Sequence, residues 1–145
     1  MSEKTVQAKR ESREQAFRML FAYDFDRETD PSAFYDFNAE NLEEKPLNYA
    51  KKIFLGVCGA REELDSGIES FSVRWKMTRM SAVTRNILRM AVYEMTGLEV
   101  PPKVAINEAV EIAKKYDDEK APAFINGILN RLAREKGLLA DPEQK

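Results

Sequence analysis

Histidine is missing from this chain of 145 residues, and cysteine occurs once, as Cys58. The first absence removes the commonest general base and the commonest transition-metal ligand. The second excludes an internal disulfide and fits a reducing compartment. No stretch approaches the roughly 18 apolar residues of a membrane span. The opening Met1-Ser2-Glu3-Lys4-Thr5 has no apolar signal core, so the expectation is a soluble cytoplasmic protein. Charge of one sign is also lacking. The net charge is −2, so no global basic field draws nucleic acid, and any such binding must come from a local patch. There is no glycine-rich phosphate loop and no Gly-x-Ser-x-Gly elbow. With no histidine to activate it, Cys58 in its apolar stripe is expected to be a buried, inert thiol.

Glycine and proline are sparse, six of each, and fall mostly between periodic segments. Ala16, Met19, Leu20 and Tyr23 make one helix face. Asp30-Pro31-Ser32 reads as a break and a new start, followed by a short helix over Ala33–Leu42 that carries Phe34, Phe37 and Ala39. Lys45-Pro46 breaks the chain again. From Leu47, helical spacing runs through Ala50, Ile53, Phe54, Val57 and Cys58 and continues at Leu64 and Ile68. Gly56, Gly59 and Gly67 interrupt it and point to close packing or a kink, each costing about 1 kcal/mol against Ala. Thr78 or Ser81 caps a stripe of Val83, Ile87, Met90, Ala91 and Met95, with Gly97 as a C-terminal stop. After Pro101-Pro102, a helix over about Lys103–Lys115 carries Ala105, Ala109, Ile112, Ala113 and Tyr116 on one face. The last helix starts near Pro122, turns Ile125, Ile128, Leu129 and Leu132 inward and ends near Gly137, before a frayed tail at Ala140–Lys145. No segment alternates with period two. The fold expected is all-α, six to seven helices in two packed helical subdomains of a single domain, about residues 1–72 and 73–138.

On a helical wheel of the opening segment, Lys9, Arg10 and Arg13 span an arc of about 100° beside the core stripe. Phe17 and Phe21 lie on the same flank. Cations beside rings suit single-stranded RNA, whose phosphates take the basic groups and whose unstacked bases lie on aromatic faces. Three phosphate contacts give a salt slope near −2, at about −0.7 each. The plainer reading stands beside it: Glu11 and Glu14 alternate with the cations, as on any solvated helix, and a broad apolar face accounts for both phenylalanines.

Two later blocks form a hairpin without a catalytic group: Val100-Pro101-Pro102-Lys103-Val104-Ala105-Ile106-Asn107-Glu108-Ala109 and Phe124-Ile125-Asn126-Gly127-Ile128-Leu129-Asn130. With Lys9–Phe21, Trp75–Met80 and Ile87–Glu94, they fall in the order and spacing of the NusB family, which the chain resembles over roughly residues 9–133. The resemblance implies an all-helical, non-enzymatic antitermination factor without cofactor. It implies binding of the boxA element of nascent RNA together with ribosomal protein NusE, within an RNA polymerase antitermination complex acting notably on ribosomal RNA operons. By position it implies RNA contacts from Lys9, Arg10, Arg13, Phe21, Tyr116, Lys120 and Phe124, and a NusE-facing surface around Thr78 and Thr84. Position 9 is Lys and position 12 is Ser in the arginine-rich run, and Phe21 stands where Tyr is usual. The sequence leaves monomer and dimer both open; a homodimer seated on the aromatic flank would cover the basic helix.

Two other classes remain to be weighed. Similar helices occur at the N-terminal end of ribosomal RNA cytosine methyltransferases, but here no room is expected for a methyl-donor-binding sheet, and no second cysteine is present. A helical module that binds only protein suits the small net charge. Asn107 and Glu108 are expected to tie helices together, and Asn126-Gly127 to permit a close crossing. Arg89 and Glu94, five apart, are expected to make separate inter-helix bonds. The pairs Glu43-Glu44, Glu62-Glu63 and Asp117-Asp118 are read as solvated faces, since adjacent helical residues point about 100° apart.

Overall fold

Local capping chemistry sets the starts of two helices and the end of the last. The computed structural model describes residues 3–42, 46–72 and 75–139; the Lys45 break, the Glu43-Glu44 pair and the 140–145 tail lie outside them. Among the described residues there are seven α-helices, one 3₁₀ turn and no strand. The helices fall into two compact units, Met1–Gly59 and Ala60–Lys145.

The first unit holds α1 (Glu3–Tyr23), α2 (Pro31–Glu40) and α3 (Asn48–Gly59). Asp30 caps α2, its carboxylate accepting from the Ala33 N–H at 3.1 Å, with Pro31 in the first turn where no N–H is needed. The core is aromatic. Phe54 stacks on Phe34 at 5.9 Å between centroids, and Tyr23 meets both rings edge-on at 4.9 and 5.7 Å. The Tyr23 hydroxyl escapes burial without a partner by donating to the Thr29 carbonyl at 2.7 Å, which also pins the α1–α2 connection. Leu47 N–H donates to Gln15 Oε1 at 3.2 Å and ties the entry of α3 to α1.

The second unit holds α4 (Arg61–Phe71), the 3₁₀ turn Met77–Arg79, α5 (Ala82–Gly97), α6 (Pro102–Tyr116) and α7 (Ala121–Glu135). Helix α5 is buried on most of its circumference and packs against α4, α6 and α7. Ser81, not Thr78, is its cap, accepting from Thr84 N–H at 3.1 Å. Arg89, only 2% exposed, crosses to α4, where Nε and Nη2 reach the two Asp65 oxygens at 2.6 and 3.0 Å. That inter-helix pair matches the expectation for Arg89, and within α5 its Nη1 also donates to Asn86 Oδ1 at 3.1 Å. Helix α7 closes in a Schellman arrangement: Gly137 has φ 73°, its N–H bonds the Arg134 carbonyl at 3.0 Å, and Leu138 N–H bonds the Ala133 carbonyl at 2.8 Å.

Several expectations give way. The spacing that ran from Leu47 through Ile68 is two helices, with the break at Gly59-Ala60, and α4 belongs with the later helices. A Cβ at Gly59, Gly67 or Gly127 would meet nothing within 4 Å, so none of the three serves close packing. Gly97 is not a left-handed stop. It ends α5 inside the helix, where a Cβ would stand 2.7 Å from Tyr93 Cε1, and the positive φ of 55° falls on Glu99 instead. Asn107 faces solvent and ties nothing. Cys58 is half-buried.

Candidate nucleic-acid interface

On α1, Lys9, Arg13, Phe17 and Phe21 follow one another at steps of four residues, and Phe25 continues the series just past the helix end. Such a series forms one ridge of a helix. The structure buries its middle, leaves Lys9 half-buried at one end and exposes Phe25 at the other. Phe17 is core, Phe21 is half-buried, and Phe25 is 73% exposed; the rings touch in sequence, 6.4 Å from Phe17 to Phe21 and 5.3 Å from Phe21 to Phe25.

The three cations separate in the same way. Arg10 is exposed, Lys9 half-buried, and Arg13 only 4% exposed. Arg13 is therefore corrected from a solvent-facing RNA contact to an interior one, because α3 covers that side of α1. Tyr49 of α3 presents its ring there, 5.2 Å from Lys9 Nζ and 5.8 Å from the Arg13 guanidinium carbon, both within cation–π reach. Nothing in the sequence pattern singled out Tyr49, since its partners lie some forty residues earlier in the chain.

In the second unit, Tyr116 is half-buried at the end of α6 with Lys115 Nζ 5.5 Å from its ring centroid. Lys120 is exposed immediately before α7. Asp118 Oδ1 accepts from the N–H groups of Lys120 and Ala121, both at 2.9 Å, and so caps the helix. Phe124, half-buried, lines a groove of about 330 Å³ with Phe71, Trp75, Gly127 and Arg131. Arg131 Nη1 reaches the Phe71 carbonyl at 3.4 Å across it. The bare Cα of Gly127 keeps the groove open rather than a helix crossing tight.

Thr78 is exposed on the 3₁₀ turn. Thr84 is not a surface residue. It is 8% exposed, and its hydroxyl donates to Asp117 Oδ2 at 2.6 Å while accepting from Ser81 at 3.1 Å. The bond joins the start of α5 to the end of α6, so the pair Asp117-Asp118 works as caps and ties rather than as a solvated face. Glu62 and Glu63 are exposed in the first turn of α4, where the helix dipole favours acidic side chains. Among the described residues, no cluster of His, Cys, Asp or Glu is placed to hold a metal ion, and no helix is long and apolar enough to cross a membrane.

An all-helical framework with basic and aromatic side chains at helix edges is that of a recognition protein. The family model described as NusB matches residues 10–134. The transcription antitermination protein NusB of Bdellovibrio bacteriovorus is 40% identical over 129 residues, covering 88% of this chain and 96% of that protein. Among solved structures, T. maritima NusB shares 35% identity with a TM-score of 0.76, covering 87% of this chain and 90% of its own. A crystal structure of antitermination factors NusB and NusE in complex with double-stranded RNA shares 31% identity with a TM-score of 0.77, covering 89% and 98%. The chain belongs to the NusB family, and its function is that of a transcription antitermination factor, not an enzyme.

Proposed function

We propose that this protein binds boxA-type single-stranded RNA together with ribosomal protein NusE, in the cytoplasm, and supports transcription of ribosomal RNA operons within an RNA polymerase antitermination complex. The observation that supports a reading with NusE and RNA is the match to a solved assembly of NusB, NusE and double-stranded RNA, over 89% of this chain and 98% of that NusB chain; the single-strand preference is the part the duplex arm below tests. In this reading the two units act as one NusB-like domain. On the first unit Lys9 and Arg10 neutralise phosphates and Phe21 offers a ring face to an unstacked base; on the second, Tyr116 and Phe124 offer ring faces and Lys120 a charge. Thr78 belongs to the NusE-facing surface; Thr84 acts there by holding α5 to α6. Self-association over α1 competes with RNA for the same edge.

The test is a titration of boxA-like RNA at two salt concentrations, with and without NusE, and with a duplex of the same sequence as a second arm. Binding tightens with NusE and weakens with salt, with a slope near −1.4 for two phosphates at about −0.7 each. Affinity unchanged by Lys9→Glu with Arg10→Glu removes α1 from the interface. Preference for the duplex overturns the single-strand reading. Phe124→Ala lowers RNA affinity while the helical circular dichroism stays intact. Light scattering over a concentration series, with and without RNA, tests self-association; a constant mass equal to one chain rejects it.

A further inference from the structure

Resting on the RNA reading above, we infer that Tyr49 is a positioning residue of the interface, whose ring holds the Lys9 ammonium where a phosphate of single-stranded RNA meets it. Lys9 and Arg13 stand one helical turn apart with like charge, an arrangement that by itself drives the two side chains apart. Both nevertheless converge on one ring, at 5.2 and 5.8 Å from its centroid. The negative face of the ring offsets the repulsion between them.

The two cations then take different places. Arg13 lies beneath the surface at 4% exposure, and Lys9 remains at the margin, half-buried. The Leu47–Gln15 bond anchors the chain two residues before Tyr49 onto α1 and so holds the start of α3 near these cations. A lysine that already rests on a platform gives up less rotamer freedom when a phosphate arrives than a lysine moving freely in water. The attraction between cation and ring comes from the ring quadrupole, which phenylalanine shares.

The experiment compares Tyr49→Phe and Tyr49→Leu (with Tyr49→Met as a second non-aromatic variant should the leucine protein not fold) in the wild-type and Lys9→Gln backgrounds. Tyr49→Phe keeps RNA affinity. Tyr49→Leu lowers it about three-fold, the scale of one exposed cation–π contact, and flattens the salt slope by up to about 0.7, one phosphate's share. In the Lys9→Gln background, Tyr49→Leu adds no further loss. Nuclear magnetic resonance supplies a reading independent of RNA: the Lys9 side-chain protons are shifted upfield by the ring in the wild type and in Tyr49→Phe, and return to ordinary positions in Tyr49→Leu. Wild-type Lys9 protons without that shift overturn the inference. So does an equal loss from Tyr49→Leu in both backgrounds, which makes Tyr49 a direct contact, or a loss from Lys9→Gln with none from Tyr49→Leu. An Arg10→Gln variant separates the two levels. If Arg10→Gln weakens binding and Lys9→Gln does not, only the Tyr49 inference fails. If neither weakens it, the RNA reading of α1 fails and takes this one with it.

Discussion

The two units solve the same packing problem with different chemistry. The first, built on α1–α3, fills its interior with rings, Tyr23, Phe34, Tyr35 and Phe54 within 6 Å of one another in pairs. The second fills its interior with Ile, Leu, Met and Ala and threads a charged side chain through it, Arg89 clamped by Asp65. Each unit also buries an arginine almost completely: Arg13 lies against the Tyr49 ring, and Arg89 is paired with the Asp65 carboxylate. A ring attracts a cation over its face across a range of positions, whereas a forked guanidinium–carboxylate pair demands one geometry. An interior of rings therefore suits a unit that carries basic side chains on its rim. A fixed charge pair suits one that must hold four helices in register.

The sharpest break of the comparison is Phe54→Ala. Phe54 touches the rings of Tyr23, Phe34 and Tyr35 and is fully buried, so its truncation destabilises the protein by about 4 kcal/mol in urea denaturation. Asp65→Ala follows, at about 3 kcal/mol, because it strands the buried Arg89 guanidinium without its carboxylate. Arg89→Met combined with Asp65→Leu recovers most of that loss. A double variant as unstable as the single one shows that the pair does more than compensate its own burial. Ser81→Ala costs about 1 kcal/mol, the value of an N-cap bond, read as a lower melting temperature.

The smallest effect is one of pH and belongs to the ring core. Burial, reinforced by the neighbouring charge of Asp36, raises the Tyr35 phenol above its ordinary 10.0. The folded chain thus holds this proton more tightly than the unfolded chain. Stability from the neutral phenol is complete below pH 10 and falls as pH rises past the unfolded value, where only the unfolded state releases the proton. Urea midpoints measured between pH 8 and pH 11 fall less in Tyr35→Phe than in the wild type; an identical fall in both proteins removes Tyr35 as a source of the alkaline loss.

Legibility follows the range of the interaction. The α2 start at Asp30, the α5 start at Ser81 and the α7 end at Gly137 were readable because a cap and its target lie within a few residues. The Gly59–Ala60 break was masked by apolar spacing that continues in phase across it. The burial of Arg13 was hidden for another reason: the wheel shows a flank, and only α3 decides whether that flank meets water. Thr84 looked like a surface threonine until Asp117, at the far end of the next helix, claimed its hydroxyl.

By itself, the order of amino acids determined that this protein is helical, where most helices start and stop, and which family signature it carries, since periodicity and capping are properties of neighbours in the chain. The tertiary structure alone decided which of three similar cations faces water, which ring lies beneath them, and which carboxylate holds Arg89. Those choices depend on pairs tens of residues apart, and burial, which sets the strength of every charge and ring contact, exists only once the helices have closed on one another.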